Sequence, residues 1–370
     1  MNFDFSEEQK LLKKTVQDFL TEQAPLAVNR AVLESDAVYD EGLWKSAAEM
    51  GWLGAAIPEE YGGAGFGYLE LVLIAEEVGR ALVPIPFGTS VGLATEAILA
   101  AGKPEQKEKY LTGLAAGDRI GTLAIAEGPG PVKLEDVTTT FENGALNGTK
   151  IAVPDGGAAD TAVVLANTGG ATSLVIVDLG ADGVTRTVQR SIDPTRTVAT
   201  LEFKGAAGEL LGGQGEGAAL TQRVLDRAAI LTAWEQLGGA QRAFDITQEF
   251  TTGRYAFGRP ISSFQAIRHR LADQYVDLEL ARSNCYYGAW ALETNADELP
   301  IAACNARISA THIGELTSVE MVQMHGGVGY TWEYDCHMFY RRAKHLGLVL
   351  GSADEWRERL IQHLIAKQAA

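Results

Sequence analysis

Cysteine is scarce in this 370-residue chain: Cys285, Cys304 and Cys336 are three widely spaced thiols without a C-x-x-C pair. That excludes a disulfide framework and the usual thiolate zinc site, and a reduced, cytoplasmic setting is expected. Histidine is sparse too, and His269, His312, His325, His337, His345 and His363 form no metal-ligand spacing; structural roles are expected for them and no metal. Basic charge is in deficit, with 31 Lys and Arg against 48 Asp and Glu, giving a formal charge of -17. So acidic a chain repels nucleic acid and anionic membrane surfaces, and neither is expected as a partner. No apolar run reaches signal or membrane-spanning length, and Met1–Lys10 is polar and acidic, so neither secretion nor membrane insertion is expected.

What the chain does have is enough apolar residue, 46%, to bury a large core across two or three domains. Ser6 with Glu7 and Glu8 reads as a helix cap, followed by Leu11, Leu12, Val16, Phe19 and Leu20 at helical spacing. Further helices are expected over Glu41–Met50, Tyr68–Ala81, Ser90–Ala101 and Pro104–Ala116. The Gly-rich stretch Pro58–Gly67 does not fit a phosphate-binding G-x-G-x-x-G loop after a strand, and reads as a tight connection between helices. Near Gly117 the texture changes to short β-rich runs, Ile120–Ala126, Val137–Phe141, Thr161–Ala166, Ser173–Val177, Val184–Val188 and Thr197–Phe203. Turn signals at Asn143-Gly, Asn147-Gly and Asp182-Gly separate them. Long helical segments then return over Ala218–Thr252, Ser263–Glu293, Ile301–Met324 and Ala353–Lys367. Three domains are expected, 1–117, 118–214 and 215–370.

Two C-terminal segments carry chemistry. In Arg254-Tyr-Ala-Phe257-Gly258, with Gln265 downstream, a guanidinium can pair bidentately with a pyrophosphate. In Gln323-Met-His-Gly326-Gly327-Val-Gly329, glycines permit close backbone approach to such a group. Either alone reads more simply as a surface charge or a helix break. Tyr330, Trp332 and Tyr334 after the glycine turn read as core or interface residues.

Both segments, in this order behind a β-domain of this length, resemble the acyl-CoA dehydrogenase family of flavoproteins over essentially the whole chain. The resemblance implies an α+β fold: a helical N-terminal domain, a middle β-barrel and a C-terminal four-helix bundle. It implies FAD as cofactor, held by Arg254, Phe257, Gln265, Gln323, Gly326 and Gly327 at a site shared between subunits. It also implies an acyl-CoA substrate and an electron-transfer acceptor. In the family's reaction a Glu removes the proton α to the thioester while flavin accepts hydride from the β carbon.

The carboxylate is missing. One family position for it corresponds to Leu350, in Val349-Leu-Gly-Ser352, and the other to Ala228, in Asp226-Arg-Ala-Ala-Ile230. Glu235 lies on the face of Ala228 two turns on, a possible displaced base whose plainer reading is a paired carboxylate in a helical bundle. The family's Thr-Glu-Pro-Gly stretch facing the flavin ring is here Ala126-Glu-Gly-Pro-Gly130, and its ring-facing Trp aligns with Ala152. These one-sided losses resemble the shorter, base-lacking subunits of heterotetrameric steroid and bile-acid side-chain dehydrogenases, whose partner chain carries the Glu. A self-sufficient homotetramer using Glu235 and a catalytically silent helical scaffold are the alternatives.

Overall fold

The structure, a computed structural model, describes residues 4–369. Its helices begin with α1 (Glu7–Gln23), α2 (Leu26–Leu33), α3 (Glu41–Glu49), α4 (Tyr68–Arg80), α5 (Phe87–Thr89), α6 (Glu96–Ala101) and α7 (Pro104–Ala115). Strands β1 (Gly121–Ala124), β2 (Thr140–Glu142), β3 (Ala145–Pro154), β4 (Thr161–Asn167), β5 (Thr172–Asp178), β6 (Val184–Gln189) and β7 (Val198–Leu211) follow. The chain continues with α8 (Gly217–Gly253), a hairpin of β8 (Tyr255–Ala256) and β9 (Arg259–Pro260), then α9 (Gln265–Glu293), α10 (Leu299–His325), α11 (Cys336–Leu348) and α12 (Ala353–Ala369). Two compact units emerge from the packing: the described residues up to Ala31 with Val72–Val83 and the described residues from Ala229 on, and Val32–Leu71 with Pro84–Ala228.

The first unit is helical. Ser6 caps α1 as its sequence implies, its Oγ accepting from Gln9 N at 3.2 Å while Ser6 N donates to Gln9 Oε1 at 2.9 Å. From Ala229 to Gly238, α8 is buried at every residue, which is why its apolar positions show no one-sided stripe. Where α4 crosses α8 the two backbones touch: a Cβ on Gly79 would meet Glu235 O at 1.9 Å, and one on Gly238 would meet Glu76 O at 1.8 Å. Glycine is required at both positions. The Trp234 indole, fully buried beside this crossing, donates to Cys285 O of α9 at 3.1 Å.

The second unit holds the β-domain. Apolar runs in β4 and β5 are buried on both faces and pair antiparallel from Thr161↔Asp178 to Asn167↔Thr172. Pairings β4–β5, β5–β7, β7–β3, β3–β2 and β2–β4 close a circuit, so the sheet is a barrel, with β1 and β6 added on β4 and β7. The 14-residue β7 makes closure possible, because its first part pairs β3 and β6 and its last four residues pair β5.

Two local expectations are corrected. Asn147-Gly148 is not a turn but lies inside β3, where Gly148 takes φ +139° and a Cβ would sit 2.6 Å from Thr139 Oγ1, so that both backbone and space require glycine. An additional helix, α11, fills residues left unassigned; its buried Met338, Phe339, Arg342, His345 and Leu346 recur at helical spacing, but the basic run Arg341-Arg-Ala-Lys344 masks it. The Pro58–Gly67 stretch is the tight connection its composition implies: a Cβ on Gly63 would meet Ile57 O at 2.0 Å.

Candidate functional site

At the end of α8 the backbone N of Arg254 donates to Phe250 O at 2.8 Å, and the chain leaves the helix into the β8–β9 hairpin. Its tip is Phe257-Gly258, with φ of +52° and +78°. Two consecutive positive φ values are the two-residue hairpin pattern that favours Asn-Gly, and a bulky aromatic there costs on the order of 1–3 kcal/mol. Yet Phe257 is 96% exposed, touching only the edge of the Phe264 ring at 6.3 Å among the described aromatic contacts. Phe264 immediately precedes Gln265, so Arg254, Phe257 and Gln265 form one exposed corner. No hydrogen bond or ion pair engages the side chains of Arg254, Gln265 or Gln323 among the described residues.

The second segment ends α10. Gly326 takes φ +64°, ψ -139°, a conformation open essentially to glycine alone. Gly329 is needed for space, because a Cβ would lie 2.5 Å from Val322 O and 2.9 Å from His325 Cβ. Gly327 differs: its φ is ordinary, it is exposed, and nothing lies within 4 Å of where its Cβ would be. Neither strain nor crowding within the chain requires glycine at 327. The ring of Phe250, one turn before Arg254, stacks on that of His325 at 4.0 Å and 22°, and so joins the two segments. Tyr330, Trp332 and Tyr334, placed in the sequence as core or interface, are all exposed, as are Tyr275, Val276 and Leu280 of α9.

The two positions at which the resemblance implies a base are ordered but hold no acid. Leu350 sits in a turn bridged from Val349 to Gly351, with Gly351 at φ +93° and the Trp356 indole donating to Leu350 O at 3.0 Å. The carboxylate just beyond it is committed: Glu355 Oε2 accepts from Ser352 N at 2.6 Å and Ser352 Oγ at 2.7 Å, capping α12. Ala228 is buried on α8.

Glu235 is 2% exposed and lies 3.6 Å from the Arg342 guanidinium, which also donates to Val83 O and Leu82 O at 3.3 and 3.4 Å. A second buried guanidinium, Arg307, donates to Gln236 Oε1 at 2.5 Å and to Leu346 O. Burial pushes Arg307 down to about 10, and the negative charge of Glu235 opposes that fall. Glu235 therefore pairs with one buried cation, Arg342, and its charge favours a second, Arg307, the arrangement of a structural acid.

In the second unit Ala126 O accepts from Ile151 N at 2.9 Å, so the stretch containing Ala126 lies directly beside the one containing Ala152. Ala152 is exposed with φ +49° at a register shift in the β3–β7 pairing, a bulge of the kind that re-aims a side chain, here only a methyl. Glu127 between them is engaged inward. Its carboxylate accepts from Lys150 Nζ at 2.8 Å, Thr138 N at 2.6 Å, Thr138 Oγ1 at 2.7 Å and Thr139 N at 2.8 Å. Burial works against its ionisation, but these donors outweigh it and hold the carboxyl down at about 2.

Residues 6–118 match the acyl-CoA dehydrogenase N-terminal domain and residues 215–365 the acyl-CoA dehydrogenase C-terminal domain. Acyl-CoA dehydrogenase IpdE2 of Mycobacterium tuberculosis is 35% identical over 356 residues, 96% of this chain and 96% of that protein. The chain belongs to the acyl-CoA dehydrogenase family. That family comprises FAD-binding oxidoreductases acting on CH–CH bonds of acyl-CoA thioesters. Solved structures similar to it include a Tcur3481–Tcur3483 steroid ACAD variant, at TM-score 0.90 and 30% identity over 98% of this chain and 99% of the other. The ChsE4–ChsE5 complex from Mycobacterium tuberculosis matches at TM-score 0.89 and 29% identity over 99% of each chain. Similarity thus extends to dehydrogenases solved as complexes of two differently named chains. No helix among the described residues is long and apolar enough to cross a membrane.

Sequence reading alone missed Phe250 and gave His325 only a general structural role. The available signal was weak: an aromatic one turn before Arg254 and a ring two residues after Gln323. The commitment of Glu355 to a cap was legible in Ser352-x-x-Glu355.

Proposed function

We propose that this chain is the subunit without a base in a heteromeric FAD-dependent acyl-CoA dehydrogenase, cytoplasmic and discharging to an electron-transfer acceptor. Its assembly partner is a homologous chain that carries the Glu. One observation carries the reading: the scaffolds that would present an acid and the flavin-ring contacts persist as a capped turn at Leu350 and a bulge at Ala152, while the side chains on them are inert. The outward-facing set at Arg254, Phe257, Gln265, Gln323, Gly326 and Gly327 keeps its polar atoms and glycines.

These residues fit a dinucleotide. Arg254 is free to pair with a pyrophosphate, and Gly327 lets another molecule come against the backbone where a Cβ would stand. Phe257, displayed at a strained tip, offers an apolar face for a cofactor or neighbouring chain to cover. When bound, FAD supplies the hydride acceptor for α,β-dehydrogenation. The chain's own residues bind and orient; none at Leu350 or Ala228 can take a proton. The likeness to a steroid ACAD and to a two-component complex supports a bulky CoA thioester as substrate.

A self-sufficient enzyme would need Glu235 as base, and its burial beside the Arg342 guanidinium does not favour that. The test is to purify the full chain alone and together with a homologous dehydrogenase chain. Flavin absorbance and acyl-CoA turnover are expected from the co-purified pair. A flavin-loaded lone chain that turns over refutes the proposal.

A further inference from the structure

The two segments read as the FAD grip come from different helices, α8 and α10, so their spacing has to be set by something between them. Phe250 and His325 meet there, face to face, with ring centroids 4.0 Å apart and planes 22° from parallel. Phe250 is four residues before Arg254 and its carbonyl accepts from Arg254 N, so a shift of Phe250 moves the start of the hairpin. His325 is two residues after Gln323 and directly before Gly326.

The His325 ring is fixed on several sides. It is 6% exposed; its Nδ1 lies 2.7 Å from Met321 O, and because a carbonyl only accepts, Nδ1 carries the proton. Tyr334 meets it edge-on at 6.2 Å. Gly329 brings the backbone of the turn to within van der Waals reach of His325 Cβ, where any side chain at 329 would push it away. The ring is thus wedged between the end of α8 and the glycine turn, and burial favours its neutral form.

We propose that the Phe250–His325 stack is the positioning element of the FAD grip: it holds the Arg254 hairpin at the distance from the Gln323–Gly327 turn at which both engage one cofactor, without touching the cofactor. This rests on the reading of those two segments as FAD contacts. His325 is a positioning residue, and the stack acts as a spacer of fixed thickness.

The test is FAD titration, by quenching of flavin fluorescence, of the apo full chain co-purified with its partner chain. Five variants are compared with the unmodified protein: His325→Gln and Phe250→Leu, which nearly keep volume but lose the stack, the two combined, His325→Phe, which keeps two stacked rings, and Arg254→Ala, which removes a direct contact. The two stack-breaking variants are expected to weaken FAD binding about tenfold each, and together no more than either alone, since both remove one spacer. His325→Phe is expected to restore binding to within about threefold, although it loses the Met321 hydrogen bond; a residue needed only for stability would not show that rescue. If Arg254→Ala weakens FAD but the stack-breaking variants leave its affinity unchanged, the spacer is refuted and the grip stands. If Arg254→Ala also has no effect, the grip itself is refuted. Because His325→Gln and Phe250→Leu nearly conserve volume, their thermal unfolding in the apo state separates misfolding from mispositioning; lowered melting with unaltered FAD affinity also refutes the proposal.

Discussion

Replacing Glu235 by Gln separates a structural acid from a hidden base. Glu235 and Arg342 are both nearly fully buried, 3.6 Å apart, in a bundle that also holds the Arg307 guanidinium. Deleting one partner of such a pair costs about 3–5 kcal/mol when the remaining charge is left alone. Here the loss is softened. Arg342 keeps the Val83 and Leu82 carbonyls, Arg307 keeps Gln236 and Leu346, and the amide of Gln still offers an oxygen in the same volume. About 2–3 kcal/mol is therefore expected, a fall in melting temperature of about 4–12 °C at the slope for large domains. Turnover of the assembled enzyme, measured well below that lowered midpoint, should stay within about twofold of the unmodified complex, since an acid that only supports buried cations takes no proton from substrate. The assays are scanning calorimetry and steady-state dehydrogenation by the same preparation. A melting temperature that does not move, combined with a loss of turnover of about 10²-fold or more, would refute the structural account and make Glu235 the base.

Gly327→Ala should leave melting within about 0.5 kcal/mol of unchanged while weakening FAD binding, whereas Gly326→Ala should destabilise by about 1–3 kcal/mol because its φ and ψ exclude other residues; calorimetry with flavin titration checks both. Glu127→Gln removes the charge paired with the fully buried Lys150, whose Nζ keeps only Ile125 O at 3.1 Å and the new amide oxygen, and should cost about 2–3 kcal/mol, more than Lys150→Met, by denaturant unfolding. The stability that Glu127 contributes is present above its ordinary value of 4.5, since its folded value is depressed, and should disappear as pH falls from there toward about 2. Glu77 has the opposite sign: burial pushes it up to about 7, Lys13 and Arg80 at 3.7 and 3.9 Å only partly offsetting that and Glu76 adding to it. Its share of stability is full below 4.5 and is lost as pH rises through 7, so Glu77→Gln should melt higher than the unmodified chain at pH 8 and converge with it near pH 5.

What the sequence made legible was whatever local chemistry decides by itself. Ser6 announces α1 because a hydroxyl followed three residues later by a carboxamide closes both ends of a capping box, and the alternation of texture at Gly117 and Glu216 announces the barrel between helices. Strand β3 stayed hidden because Asn147-Gly148 carries a turn signal whose real cause is crowding against Thr139, a contact made by folding and absent from the local sequence. Helix α11 stayed hidden because its buried Arg342 and His345 look like surface residues until Glu235 and the neighbouring backbone are placed around them.

The site divides along the same line, and the division bears on function. A missing carboxylate can be read from letters, as at Leu350 and Ala228, but whether a neighbouring acid could stand in cannot. Glu355 and Glu235 are each close enough in sequence to be considered, and both turn out to be committed, one to the cap of α12 and the other to the Arg342 guanidinium. Reassigning either to proton transfer would uncap a helix or leave a buried cation uncompensated, which favours the proposed reading of this chain as a subunit without a base. Gly327 argues in the opposite direction. Nothing inside the chain requires glycine there, and an alanine would be a better helix former and less costly in backbone entropy. A position that forgoes that gain without internal need is accounted for by a surface that arrives from outside, and the proposed cofactor shared with a second subunit is such a surface.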